Sequence, residues 1–216
     1  LREGETNTLC YANPATPEDL DWIFHLEIDA YSAQYAVAQR TLEQWYRRNP
    51  NGFSILTMNG RRIGHITIVP LHPKILESFV QGTIVEPDIR EDCIYAPREK
   101  HLIRNLYFES IITGFPKGTS TTLPIKALTC LARDFVPLIS RICDPSNLEN
   151  VYALAASGPG ERLLKGLGFD QVKGGLERAD QRALYVARFS ILKANISGLY
   201  DRRLRKNAFN LPTTVR

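Results

Sequence analysis

Apolar positions in this chain follow two rhythms, one of period two and one near 3.6, and the switches between them mark out the elements. Thr6–Ala12 reads as a short first strand, broken by Asn13-Pro14. Thr16-Pro17-Glu18-Asp19 opens a helix: Thr16 caps it, Pro17 takes the first position and Asp19 reaches back. Leu20, Ile23, Phe24 and Ile28 give that helix its apolar face. Thr41-Leu42-Glu43-Gln44 has the spacing of a second capping box, ahead of Trp45, Tyr46 and the stop Asn49-Pro50-Asn51-Gly52. Phe53–Met58 and Ile63–Leu71 form a predicted hairpin around Asn59-Gly60. Val80–Val85 has strand composition. Around it, residues 72–101 are charged and irregular, and are expected to run over one end of the sheet, beside a substrate site.

Leu102–Thr113 is the strongest strand, with Leu106, Phe108, Ser110 and Ile112 on one side and Tyr107, Glu109 and Ile111 on the other. Gly114–Thr122 is a loop of small and hydroxylated residues. A long helix follows from Pro124, with Ile125, Leu128, Ala132, Phe135, Ile139 and Ile142 at steps of three and four. Val151–Ala156 is a short buried strand. Pro159–Leu167 is a helix with proline at its first position and Gly168 past its end. Val172–Lys173 and Ala183–Phe189 close the sheet. The order β-α-α-β-β-β-α-β-α-β-β predicts an α/β sandwich with a mixed sheet, not a doubly wound one.

Composition narrows the class. The 216 residues suit one domain with an appendage, and no apolar run approaches a membrane span. The chain begins at Leu1 and reads as part of a longer protein. Cys10, Cys93, Cys130 and Cys143 are too sparse for a disulfide scaffold and lack metal spacing, so a reducing cytoplasm is expected, with Cys130 packing in a helical stripe. Net charge is +4, but residues 190–216 hold six basic side chains and one acid, leaving the body near −1. Residues 1–189 are therefore taken as the folded domain and 190–216 as a basic tail or linker. Nucleic acid is not the expected partner of the body. The tail, with Arg202, Arg203, Arg205 and Lys206, reads either as a contact for nucleic acid or an acidic partner, or as a solvated linker or a helix docked by Ile191, Leu192, Ile196, Leu199 and Leu204.

The informative unit is the strand 102–113, the loop after it and the start of the long helix. A helix start offers unpaired N–H groups and the positive end of a dipole, so small residues ahead of it can close on a phosphate. Lys117, Gly118, Thr119, Ser120, Thr121 and Thr122 supply such residues, without Walker spacing. A second unit runs Val151–Ser157, then Gly158-Pro159-Gly160 and a helix ending Leu167-Gly168-Phe169.

In these two units the chain resembles the GNAT acyltransferase superfamily. Leu167-Gly168-Phe169 is similar to the end of that family's fourth helix, and Tyr107-Phe108-Glu109-Ser110-Ile111 to its fourth strand. The family's phosphate loop falls within residues 116–123 by two independent counts. The likeness spans roughly residues 8–189, with 72–101 poorly matched. It implies a mostly antiparallel central sheet flanked by helices, no metal, and acetyl-CoA or another acyl-CoA as cosubstrate. Pantetheine would lie along Ile111, Ile112 and Thr113, and the pyrophosphate on the amides of residues 117–122. Departures are plain: the loop lacks its leading Arg or Gln and its paired glycines, Ser157 replaces the usual asparagine, and Leu164 replaces the tyrosine that protonates the leaving thiolate.

The implied reaction is acyl transfer to an amine, on a small molecule or a protein, by direct attack on the thioester. The amine must lose a proton, and Glu109, an acid on an apolar strand, is the candidate base. Its other reading is an ion pair with Arg104 or Arg133. Tyr107 and Tyr152 are phenols of the same region, while His25, His65, His72 and His101 show no metal spacing. A non-catalytic acyl-CoA sensor on the same fold is the alternative, and a homodimer is left open.

Overall fold

The computed structural model describes residues 10–31, 36–113 and 122–209, with the backbone alone at 122–129 and 202–209. One sheet of seven strands organises the chain, in the order β1-β2-β3-β4-β5-β7-β6. Strands β1 (Cys10–Pro14), β2 (Phe53–Met58), β3 (Arg61–Val69) and β4 (Asn105–Thr113) are antiparallel neighbours. β4 pairs in parallel with β5 (Asn150–Leu154), and β5 pairs antiparallel with β7 (Leu184–Arg188). β6 (Asp170–Lys173) forms the far edge. The mixed, mostly antiparallel sheet is the one the element order implies.

Helices cover both faces. On one lie α1 (Leu20–Tyr31), α2 (Gln39–Arg48) and α3 (Pro73–Gln81), whose Ile23, Leu42, Trp45 and Phe79 pack on Phe53, Ile55, Val69 and Tyr107. On the other lie α4 (Thr122–Ile142), α5 (Gly158–Gly166) and α6 (Phe189–Phe209). Their Phe135, Leu138, Ile139, Leu164 and Leu192 share a core with Ile66, Ile68, Phe108 and Val151. The parallel β4–β5 step needs a long crossover, which α4 supplies.

Several boundaries differ from the sequence expectation. Val80–Val85 is not a strand. Pro73 starts α3, Leu76 and Phe79 form its buried face, and Gly82 ends it in the left-handed conformation at φ 77°. The β-branched residues after the helix gave the false strand signal. Thr41 caps nothing: α2 starts two residues earlier, with Ala38 at the cap, and the Thr41 amide bonds Ala38 O at 2.8 Å. β1 runs through Asn13-Pro14, because an edge strand tolerates a residue with no N–H. The Asn59-Gly60 turn forms as expected, both residues at positive φ.

Residues 86–102 form three 3-10 turns held by side chains of α2 and the residue after it. Trp45 Nε1 donates to Ile89 O at 2.8 Å, Arg48 Nε to Ile94 O at 2.7 Å, and Asn49 Nδ2 to Tyr95 O at 2.8 Å. This segment is therefore a fixed layer over one end of the sheet. Cys130 does more than pack: it forms a disulfide with Cys10, tying α4 to β1. Spacing in sequence could not reveal that pair, 120 residues apart. The basic C-terminal segment is helical to Phe209, and α6 lies against α4, with Leu192 buried and Ile191 exposed. Leu204 is a side chain outside the described ones.

Candidate functional site

The β4–β5 ladder is short. It joins Asn105 to Asn150, Leu106 to Val151, Tyr107 to Tyr152 and Phe108 to Ala153, and then stops. β4 continues to Thr113 on β3 alone, and Leu154 continues on β7 alone. Between them the backbone edge of residues 109–113 that faces β5 has no strand partner among the described residues. Unpaired backbone groups in a cleft are hydrogen-bonding positions for an extended ligand.

A bulge marks the point of parting. On β3, Thr67 sits opposite Ser110 and Ile68 opposite Phe108, so Glu109 has no partner residue. Bulges bend a strand and re-aim its side chains. The simple alternation expected for this strand is thereby broken. Tyr107 and Ser110 face the α1 side, while Phe108 and Ile111 face the α4 side with their partners Ile68 and Ile66.

A cavity of about 750 Å³ opens at the parting. Glu109, Ile111, Ile112, Thr113 and Ser157 all line it, joined by Tyr31, Arg182, Leu164 and Tyr200. Five of the expected anion-binding residues, Lys117, Gly118, Thr119, Ser120 and Thr121, lie outside the described residues. Thr122 is the first residue of α4, described by its backbone alone. Ser157 caps α5, accepting from Gly160 N at 3.2 Å. Leu164 presents a buried hydrocarbon wall where a phenol was sought. Tyr107 is fully buried and donates to Glu86, so its phenol is engaged elsewhere.

Neither arginine pairs with Glu109: Arg104 pairs with Glu149 at 3.7 Å and Arg133 with Asp134 at 2.6 Å. Glu109 Oε2 is buried with no hydrogen-bond partner among the described residues. Burial, then the neighbouring carboxyls of Glu27 and Glu86, holds the Glu109 carboxyl well above the usual range.

Glu27 was not expected here. It projects from the apolar stripe of α1, one turn past Ile23, and is fully buried. An acid on that stripe was the available signal. Ser110 Oγ donates to its Oε1 at 3.2 Å, and His65 Nε2 lies 3.6 Å from the same oxygen. Burial pushes Glu27 up to about 8 and His65 down to about 3, so near neutral pH both groups sit chiefly in their neutral forms. The charge of the Glu27 carboxyl disfavours ionisation of Glu109, so the two acids titrate as neighbours.

A second buried cluster braces this one. Arg182 pairs with Glu86 and lies 3.5 Å from Asp180, while Arg178 binds Asp180 through two bonds of 3.1 and 3.0 Å. Glu86 thus carries the 3-10 layer to β4, through Tyr107, and to the segment before β7, through Arg182. Among the described residues no group of His, Cys, Asp and Glu could hold a metal.

No protein-family model matches this chain, and no curated protein matches it in sequence. Solved structures do match in shape. Ard1 from Thermoplasma volcanium aligns with TM-score 0.52 at 10% identity, over 83% of this chain and 97% of its own. An uncharacterized protein from Bacillus halodurans aligns with TM-score 0.56 at 12% identity, over 91% and 93%. N-acetylglutamate synthase from Neisseria gonorrhoeae, solved with coenzyme A and N-acetyl-glutamate, aligns with TM-score 0.50 at 12% identity, over 85% of this chain and 36% of that one. At such identities the likeness is one of fold, and with the split between β4 and β5 it establishes that the chain has the GNAT fold, in a divergent form.

Proposed function

We propose that this chain transfers an acyl group from an acyl-CoA thioester to an amine. The observation that carries the reading is the parting of β4 from β5 after Phe108 and Ala153, over a cavity that the Glu109 carboxyl lines. The free backbone edge of 109–113 suits the amides of a pantetheine arm. The synthase among the structural neighbours binds coenzyme A on the same fold, which supports the choice of donor.

In this reading Glu109 is the base. An alkylammonium group has a pKa of about 10.4, so a carboxylate of ordinary strength draws its proton poorly. A base raised by burial comes closer to a match. The cationic acceptor itself favours ionised Glu109 as it enters, and the proton that Glu109 gives up passes to solvent at the cavity mouth. The neutral amine attacks the thioester carbon, the carbon–sulfur bond breaks, and the thiolate leaves. Leu164 cannot protonate it, and among the described residues Tyr31 and Tyr200 are the phenols lining the cavity.

Calorimetric titration with acetyl-CoA, followed by a CoA-release assay over a panel of amines, tests the reading. Micromolar binding with release on at least one amine supports it. Affinity no tighter than millimolar overturns it. Binding without release on any amine selects the sensor reading instead.

A further inference from the structure

We infer that the disulfide between Cys10 and Cys130 regulates the cosubstrate cleft: closed, it holds the first half of α4 ready for binding, and reduction releases that half. This regulation rests on the acyl-CoA reading above and acts on the same site.

The bond joins the start of β1 to a position about two turns into α4. Leu131 and Ala132, which follow Cys130, line the cleft. Leu131 packs both on the cluster around the two sulfurs, with Leu56, Met58 and Ile63, and on the main core. The covalent tie therefore stands directly behind one wall of the cleft. Further along α4, Asp134 Oδ2 accepts from Ala12 N at 3.0 Å and Arg133 Nη2 donates to Cys10 O at 2.6 Å. Among the described residues the disulfide is the tie to β1 nearest the start of α4, which follows the loop expected to hold pyrophosphate. A helix start free to shift must be ordered by the ligand, and that ordering weakens binding.

The fold accommodates both redox states. Cys10 and Cys130 belong to a small cluster at the edge of the sheet, and neither of the two larger core clusters includes them. Reduction leaves two small, weakly polar thiols in an apolar site and buries no charge. Burial raises the Cys93 and Cys143 thiols, the latter to about 12, so neither offers a ready thiolate to reshuffle the bond. Cys10 and Cys130 are themselves buried, but β1 is an edge strand paired on β2 alone, and local opening of its end admits a small thiol. Closing the bond removes two protons and two electrons from the thiols. A small-molecule disulfide takes them up and is cleaved to two thiols, and a dithiol reverses the step.

The test is calorimetry with acetyl-CoA on the full chain, oxidised and after dithiothreitol treatment of the native protein, with thiol titration of each form to show which bond state is present. We expect reduction to weaken binding about tenfold, since a preorganised site is lost, and glutathione disulfide to restore it. Amide exchange at residues 122–131 should be faster in the reduced form. Cys130→Ser, where its thermal melt shows a folded protein, should bind as the reduced parent does and be indifferent to dithiothreitol, while Cys93→Ser should respond as the parent does. Equal affinity in the two states, or a disulfide that dithiothreitol leaves closed in the native protein, overturns the regulation and leaves the acyl-CoA reading standing. If neither form binds acetyl-CoA, that reading falls and the regulation of its site with it, whatever the exchange at 122–131 shows.

Discussion

Ser110 Oγ donates to Glu27 Oε1 at 3.2 Å, one residue beyond the bulge at Glu109. The bulge makes the contact: without the extra residue, Ser110 would face α4 with Phe108. It also brings two carboxyls and a histidine into one dry space, and that arrangement has consequences for pH.

Folded Glu27 holds its proton more tightly than the unfolded chain does, so stability falls as pH climbs from 4.5 to about 8. Folded His65 resists its proton, so stability falls as pH drops from 6.5 to about 3. Glu109 shifts in the same direction as Glu27 and deepens the alkaline loss. Thermal melts across this range should peak between pH 4.5 and 6.5. Glu27→Gln should flatten the fall from 6.5 to 8, and an unchanged slope would contradict the burial of an ionisable Glu27.

Glu109→Gln should lower kcat by about a hundredfold or more, with CoA affinity unchanged. Because the Glu27 carboxyl raises Glu109, Glu27→Gln should also move the acid limb of kcat/KM to lower pH. Full turnover in Glu109→Gln would remove it from the chemistry.

Arg182 is the cation paired with buried Glu86. Removing one partner of a buried pair leaves the other charge uncompensated, at about 3–5 kcal/mol. Urea denaturation of Arg182→Ala should show a loss of that order. A loss under about 1 kcal/mol would mean that Glu86 finds another partner or is neutral.

Cys10 and Cys130 form a disulfide, while Cys93 and Cys143 are free and buried. Thiol titration of the unreduced, denatured protein should therefore find two reactive thiols. Cys130→Ser should cost a few kcal/mol, since the bond closes a long loop. Four thiols in the denatured chain would contradict the pairing.

Much of the sheet was legible in the sequence because its strands are bounded by strong punctuation. Asn59-Gly60 fixed one hairpin, and Gly168, at φ 88°, fixed the end of α5. Glu109 was legible as an acid in an apolar strand. Its bulge was not, because a bulge is a register shift against a neighbour and leaves no trace in one strand's own pattern. α3 was missed because nine residues give only about two and a half turns of periodicity, and Ile84 and Val85 beyond it imitate a strand. Glu27 and Glu86 were missed because their partners, Ser110 at 83 positions and Arg182 at 96 positions along the chain, meet only in the fold.

Whether the parted strands receive an acyl-CoA can be read from amide hydrogen exchange with and without CoA. Slower exchange on CoA binding is expected at residues 109–113 and 155–160, with the Asn105–Phe108 ladder unchanged. Exchange at 109–113 that is already as slow as that ladder without ligand, and unaltered by CoA, would contradict acyl-CoA binding there.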